Sequence, residues 1–448
     1  MSISSFYGLQ TSLRGLLAQQ RALDTTGHNI ANASTKGYSR QEAVMAASPG
    51  LAIASGAVQG GAGAHIGSGV DIQAYRRVRD TFLDLQYRAQ ATRLGQEAGR
   101  AEGLDRAELA LAEPSDNGIN KQLSDFWNAW SNLSEAPPDQ AAREALVEQA
   151  KSLAEAFATV DQQFELVGQQ ARSEFDSLTQ AGGELEQISN EIVALNDTIR
   201  RFVTAGDAPN DLMDQRDLLL DRLSELGQTS ITDNGDGSVS VTFGATGTPM
   251  IDATGFHFQA PATLANAGGR LGALQNLSNV PGGELDSFRL ELGQVATSIA
   301  AAVNQVYDYA GDGTNFFTTT GPYAAGTMAL AAGVTAATVR TGTTGEADDN
   351  KLALQIAELR GDAPDGAYRA FIARVGSEVR EATRNEANAQ ALTDAVMDRR
   401  DSVAGVSLDE EMGSLVRFQR AYQASARAMS TMDEMLDILI NRTGRVEL

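Results

Sequence analysis

The sequence predicts a mainly α-helical protein: a long helical bundle with coiled-coil termini and a smaller inserted β-rich domain. Apolar residues recur every seven positions at both ends of the chain and again throughout Leu146–Phe202. A period near 3.5 residues is typical of packed helices, whereas a period of two is typical of strands. The period of two is clear at Val239–Phe243. With 448 residues, the chain exceeds what one core usually holds, so two or three domains are expected.

Residues 1–38 are predicted to form an N-terminal amphipathic helix. Apolar side chains spaced by seven, with others three positions earlier, keep one stripe directed at a partner helix. We expect this stripe to be a packing seam between subunits. The seam consists of Phe6, Leu9, Leu13, Leu16, Leu23 and Ile30.

Residues 405–448 are predicted to form a matching C-terminal helix, since no proline interrupts Ser407–Arg442. Neither end has a neighbouring apolar segment to pack on except the other, although an ordinary core-facing helix is the alternative interpretation. We expect the two ends to pair as a terminal coiled-coil domain, and to be loosely ordered until assembled because isolated helices are marginal in water. The C-terminal seam consists of Leu408, Leu415, Phe418, Tyr422, Met429, Met432, Leu436 and Leu439.

A helical rod domain is predicted for residues 39–228, completed by residues 268–310 and 350–404. Its first part, about residues 39–75, is rich in glycine and short β-prone pieces, which favours a β-hairpin excursion. The glycines at 168, 182 and 183 mark a predicted bend in the long helical stretch.

Two segments depart from the helical pattern. Residues 229–267 combine alternating strand residues with the turn sequence Asp233–Gly237, which predicts a β-rich insertion. Residues 311–349 are rich in glycine and threonine with little periodicity, which predicts an extended segment.

Composition excludes several function classes. The formal net charge of −23 argues against nucleic-acid binding, which needs clustered lysine and arginine. The chain has no cysteine, so disulfides and thiolate metal sites are excluded. No run approaches the roughly 18 apolar residues of a membrane span, so no membrane insertion is expected. The N-terminus lacks a basic region followed by an apolar run, so export would not use a cleaved signal peptide.

No motif indicates an enzyme, and we predict no catalytic, cofactor-binding or metal-binding residue. No lysine follows a glycine as in a phosphate-binding loop, and the three histidines lie in separate segments. Asp214, Asp217 and Asp221 lie close in sequence, but they alternate with arginine and leucine on a predicted helix. This pattern is typical of a solvated helix face rather than of a catalytic carboxylate pair.

Several runs carry a family resemblance. Gly27–Gln41 and Ser407–Arg442 resemble the two terminal signatures of the flagellar axial proteins, which comprise rod, hook and hook-associated subunits. Ile119–Phe157, Asn210–Leu226 and Gly268–Phe317 resemble, more narrowly, the hook-associated protein 1 family of the hook–filament junction. The chain departs from this family at Lys36, where proline is common, and it is short for the family, which suggests a reduced outer β region.

The resemblance implies a non-enzymatic structural protein, exported through the flagellar type III apparatus and located outside the cell in the bacterial flagellum. The terminal helices would line the inner tube, with the long helices around them. The implied partners are other copies of the chain in a ring, the hook protein below, the second junction protein above, and an export chaperone on the C-terminal helix. No cofactor is implied.

Three other interpretations stay open on the sequence. The chain could be another axial subunit, such as the hook protein or the second junction protein, although Asn210–Leu226 argues against both. It could be a hydrolase of the cell wall that depends on two carboxylates. It could also be a freestanding acidic coiled-coil scaffold.

Overall fold

The computed structural model describes residues 6–53, 64–111, 113, 115, 118–244, 247, 249–259, 264, 266–278, 281–361 and 363–442. Long helices dominate it, with a few small antiparallel sheets, so the predicted fold class is confirmed. The helices are α1 (Tyr7–Ala31), α2 (Thr81–Leu111), α3 (Ile119–Glu135), α4 (Gln140–Thr179), α5 (Glu184–Thr204), α6 (Asn210–Leu226), α7 (Gly269–Leu277), α8 (Glu284–Tyr307), α9 (Ala324–Thr327), α10 (Lys351–Ala357), α11 (Ala363–Ala404) and α12 (Leu408–Asp437), which continues as a π-helical turn, Ile438–Arg442.

The strands form four antiparallel sheets among the described residues. β1 (Gln41–Ala47) pairs with β4 (Val70–Arg77), and β2 (Leu51–Ile53) pairs with β3 (Ala64–Ile66). β5 (Thr229–Asp233), β6 (Val239–Phe243), β7 (Pro249–Asp252) and β8 (Gly255–Phe256) form one sheet in that order. β9 (Phe317–Thr318) pairs with β10 (Ala329–Leu330).

The two ends of the chain lie together as an antiparallel helix pair, α1 with α12. The hairpin that β1 and β4 form also lies along α1. The Tyr7 hydroxyl donates to the Ile66 carbonyl, and Arg14 donates to the Ser68 carbonyl and faces Asp71 at 3.7 Å. The predicted division grouped this hairpin with the rod, whereas in the structure its strands lie along α1. We refer to α1, α12 and the hairpin as the terminal layer.

The rod is built from α2 to α8, α10 and α11. The predicted long helical stretch is two helices, because α4 ends at Thr179 and α5 begins at Glu184. Between them Gly182 has φ +79°, a left-handed conformation that favours glycine. The bend therefore lies at Gly182 and Gly183, while Gly168 is buried inside α4.

A cluster of aromatic side chains fixes the segment 311–349 to the rod. Phe316 and Phe317 are fully buried, and their rings pack against rings of α3 and α8. Arg143 donates to the carbonyls of Ala336 and Val339. Residues 311–349 are therefore folded onto the rod through β9, β10 and α9 rather than extended.

The sheet β5–β8 packs on α5 through one buried face, as the alternating pattern predicts. Val241 and Phe243 are fully buried. Asn196 of α5 donates to the Val239 carbonyl and accepts from the Val239 amide, so it closes the strand edge next to the helix. Arg216 of α6 donates to the Gly237 carbonyl and to Asn196. The insertion is thereby fixed to α5 and α6.

Glycines let helices of the rod approach closely. Gly95, Gly99 and Gly103 of α2 recur every four residues, so they lie on one face. A Cβ at Gly95 would lie 2.2 Å from the Glu225 carbonyl oxygen, and one at Gly103 would lie 2.3 Å from Leu277. The face therefore needs the absence of side chains where α2 crosses the end of α6 and α7.

Candidate functional site

The α1–α12 pair has a regular antiparallel register. A Cβ at Gly8 would meet Met432, and one at Gly15 would lie 3.2 Å from the Ser425 hydroxyl. Near the opposite end, Asn29 donates to Glu411 at 3.2 Å. In each pair the two residue numbers add up to 440, so from Gly8 to Asn29, about six helical turns, the two helices run side by side without a change of register.

The pair leaves much of both predicted seams accessible. In α1 the fully buried face is Ala18, Ala22, Thr26 and Asn29. The predicted seam residues Leu9, Leu16, Leu23 and Ile30 are half-buried, while Phe6 and Leu13 are 51 % and 41 % exposed. In α12 the half-buried seam residues are Leu415, Phe418, Tyr422, Met429, Met432 and Leu436.

Two C-terminal seam positions differ from the rest. Leu408 is 53 % exposed at the first turn of α12. The side chain of Leu439 lies outside the described part of the chain. The structure thus brings most of the two predicted stripes to the edges of a single helix pair, where a neighbouring helix could cover them.

Sequence reasoning missed a second row of exposed apolar side chains on the same helices. A heptad frame selects one seam, whereas these residues follow a spacing of four: Leu13 with Leu17, and Leu408 with Met412 and Val416. Such a spacing marks a second stripe on a helix, and it could have been found on the sequence. The exposed apolar residues not predicted are Leu17, Met412, Val416, Met435, Ile438 and Ile440.

A polar clamp holds the base of the helix pair. Glu411, 2 % exposed, accepts from Asn29 and from Arg40 Nε at 2.8 Å. Asn29 accepts from the Tyr38 hydroxyl at 2.8 Å and from the Gln41 amide. Burial of Tyr38, together with nearby carboxylates, raises the pKa of its hydroxyl, which keeps it a donor. The clamp ties α12 to the loop that follows α1.

The joint between the terminal layer and the rod is a buried ion network on α6. Asp214 accepts from the Ser39 amide and hydroxyl and from Arg77. Asp217 accepts from Arg77 and Arg79 at 2.7 and 2.6 Å. The carboxylates lie one turn apart, so both face the segments that enter and leave the hairpin.

The same row of carboxylates on α6 also contacts the end of α11, the helix that leads into α12. Asp221 accepts from Arg88 of α2 at 2.8 Å and from Arg400 of α11 at 2.6 Å. Arg400 also lies 3.1 Å from Asp84 and over the Tyr87 ring. Ser39 and Arg77–Arg79, on either side of the hairpin, and the end of α11 are therefore anchored on one face of α6.

The prediction that these aspartates lie on a solvated face was wrong. Asp214 and Asp221 are 5 % and 6 % exposed. Their partners come from residues 39, 77, 79, 88 and 400, which are remote from α6 in the sequence. Periodicity within α6 could not reveal them, because an acidic helix face looks the same whether water or arginine covers it.

Electrostatics in the network favour the ionised state. Burial by itself raises the pKa of Asp217, but Arg79, Arg77 and Arg88 outweigh it and the pKa is lowered. Within the described part of the chain, four arginines (77, 79, 88, 400) and four aspartates (84, 214, 217, 221) share these contacts. Paired carboxylates of this kind act as structural anchors.

Other chemistry finds no support in the described residues. They contain no group of three or more histidine, aspartate or glutamate side chains placed to hold a metal ion. None of the helices described is both long and apolar enough to span a bilayer. His28 pairs with Asp211 and His257 with Asp252, both in solvent-exposed contacts.

Comparison with known proteins gives three matching family models. Residues 104–260 match the helical domain of flagellar hook-associated protein FlgK. Residues 9–38 match the flagella basal body rod protein, and residues 400–442 match the C-terminal part of the flagellar basal body rod FlgEFG proteins. The two shorter matches cover the helix pair and the last turn of α11.

Curated relatives match over nearly their whole length. Flagellar hook-associated protein 1 of Bacillus subtilis is 29 % identical, with 98 % of this chain and 99 % of the relative covered. The protein of the same name from Escherichia coli is 25 % identical, with 97 % and 99 % covered. A solved structure of FlgK from Burkholderia pseudomallei aligns with TM-score 0.44 and 21 % identity, over 52 % of this chain and 46 % of that one.

The relatives carry segments that this chain lacks. The alignment with the Escherichia coli protein extends over 560 positions, whereas the chain has 448 residues. The alignment must therefore contain long gaps on the side of this chain.

Proposed function

Since the chain belongs to the flagellar hook-associated protein 1 family, we propose that it acts as an adaptor at the hook–filament junction. It is a structural protein of the bacterial flagellum and not an enzyme. The observation that carries the proposal is the α1–α12 pair: the two ends of the chain form one antiparallel unit whose apolar seams are only half covered within the subunit.

Assembly proceeds by packing these seams and the second row of exposed apolar residues on the same helices. Apolar area removed from water contributes roughly 25 cal/mol per Å², and Phe6, Leu13, Met412 and Met435 each leave 41–54 % of their surface accessible. Burying such residues against neighbouring helix pairs supplies the driving force. The ion network at α6 fixes how the pair leaves the rod, so that many copies present the seams in the same orientation.

The proposal includes the partners that the family resemblance implies. Copies of the chain associate in a ring on the distal end of the hook, with the hook protein below and the second junction protein above. Before assembly an export chaperone covers the C-terminal helix, whose exposed apolar residues would otherwise aggregate. The chain leaves the cell through the flagellar export apparatus and lies outside it as part of the flagellum.

The test is deletion of the gene in the source bacterium, with electron microscopy of the cells and assay of flagellin in the medium. We expect hooks without filaments and flagellin lost to the medium, with both restored by the native gene. Missing hooks would place the protein in the rod or hook instead. Intact, filament-bearing flagella would refute the proposed function.

A further inference from the structure

Two large apolar side chains project into solvent where α2 leaves the joint. Phe82 is 63 % exposed and Leu85 is 56 % exposed. They are three residues apart on a helix, so they lie side by side on one face. We call this pair the knob. Single exposed apolar residues are common, but two adjacent large ones at the first turn of a helix form a contiguous patch.

A cleft lies on the other side of α2. It encloses about 740 Å³ between the loop 32–40, α6 and the connection from α11 to α12. Three of its lining residues expose apolar surface: Leu218, Met397 and Val403 are 37–40 % exposed. Lys36, Arg222 and Glu225 contribute polar groups to its lining. The lining of the cleft thus combines apolar and polar side chains, as protein interfaces do.

The geometry of α2 places the knob and the cleft on opposite sides of the helix, at nearly the same position along its axis. Tyr87 of α2 lines the cleft. A helix turns about 100° per residue, so Tyr87 is rotated roughly 140° from Phe82 and 200° from Leu85. Along the helix axis it lies only about 3–8 Å from them.

We propose that the knob of one copy inserts into the cleft of the neighbouring copy. The inference rests on the proposed function, because it identifies the lateral contact of the ring. A ring is built from heterologous interfaces, in which each subunit offers two different, complementary surfaces to its two neighbours. Knob and cleft meet that requirement, since each copy carries both, facing in opposite directions. A cleft of this size also falls within the range of about 300–1,000 Å³ that encloses whole small ligands, enough for two side chains.

The absence of cysteine makes the contact directly measurable. The double variant Phe82→Cys/Met397→Cys replaces the native gene, and flagella are treated with a short bismaleimide cross-linker. The matched control is Leu109→Cys/Met397→Cys, because Leu109 is 73 % exposed on the same helix but about 40 Å from the knob. Phe82 and Leu109 are both exposed, so substitution at either position should be tolerated. Filament attachment, seen in the electron microscope, shows that each variant is incorporated.

We expect a ladder of covalent multimers of this chain from the knob variant, and at least a tenfold lower yield from the control and from each single-cysteine variant. Filament-bearing flagella without the ladder would overturn the inference while leaving the proposed function intact. Dimers from Phe82→Cys alone would overturn it in favour of a two-fold contact. A cross-linked product that contains a different protein, identified by mass spectrometry, would show that this protein and not a second copy occupies the cleft, and would overturn the inference. Flagella of the native strain that lack the protein at the junction would refute both proposals.

Discussion

At the scale of single residues, the buried charges of α6 decide how the terminal layer is attached. Removing one member of a buried ion network leaves its partners uncompensated in a poorly hydrated place, which costs far more than losing an exposed pair. Asp217 is the central member, since it contacts three arginines from two segments. Its side chain is only 14 % exposed.

Asp217→Asn should lower the free energy of unfolding by about 3 kcal/mol or more, because Arg77, Arg79 and Arg88 lose their shared charge. Urea denaturation followed by circular dichroism measures this. The matched control is Asp197→Asn in α5, whose side chain is 53 % exposed and pairs with Arg200. This control should change the free energy by less than about 1 kcal/mol. Equal effects of the two substitutions would contradict the structural role of the network.

The contribution of Asp217 should also depend on pH in a defined direction. Its folded pKa is lowered, so its stabilisation is present above the unfolded pKa of about 3.9 and is lost as the pH falls through the folded pKa. The difference in unfolding free energy between the native chain and Asp217→Asn should be constant from pH 7 to pH 5 and shrink below about pH 4. A difference that already falls between pH 7 and pH 5 would assign the effect to another group.

At the scale of elements, close helix contacts depend on glycine where a side chain would meet backbone. A Cβ at Gly95 would lie 2.2 Å from the Glu225 carbonyl oxygen and 3.2 Å from the Arg270 amide nitrogen. Backbone atoms cannot move aside as the end of a flexible side chain can. The helix therefore forgoes the better propensity of alanine at this position to allow α2 to approach α6 and α7.

Gly95→Ala should destabilise the chain by about 1–3 kcal/mol, since overpacking outweighs the gain in helix propensity. Gly413→Ala is the matched control, because nothing lies within 4 Å of a Cβ at this position of α12. In the isolated chain it should stabilise by up to about 1 kcal/mol. Thermal unfolding of both variants gives the two signs, and a stabilising Gly95→Ala would show that α2 does not make this close approach.

At the scale of the whole molecule, the terminal layer and the rod have different energetic roles. The rod buries a continuous core of aromatic and aliphatic residues within the chain. The seams of α1 and α12 stay half accessible within the chain. A charge on a seam should therefore impair assembly much more than it impairs folding of the rod.

Leu16→Asp and Leu415→Asp should each block incorporation into the flagellum while the rod stays folded. A carboxylate buried at a contact between subunits has no partner there and loses hydration. Incorporation is measured by electron microscopy and immunoblotting of isolated flagella, and folding by circular dichroism of the purified chain. Leu109→Asp, at an exposed position of the rod, should assemble normally. Normal assembly of both seam variants would contradict packing through the terminal helices.

The sequence by itself determined the fold class, the pairing of the ends and the β-rich insertion. These follow from the spacing of apolar residues, which local helix or strand geometry converts directly into a buried face, as at Val239–Phe243. The sequences at the two ends, which resemble the flagellar axial proteins, indicated a structural role in flagellar assembly. That the seam residues mediate contacts between subunits stays a prediction.

Only the tertiary structure decided which segment packs against the charged face of α6 and the glycine face of α2. Asp214 and Asp221 are buried because arginines at positions 77, 88 and 400 reach them, and no pattern within α6 encodes those partners. The glycine row of α2 likewise has a meaning only once α6 and α7 lie against it. Periodicity fixes which side of an element is apolar, whereas the neighbour that meets a charged or bare face depends on contacts between segments remote in sequence.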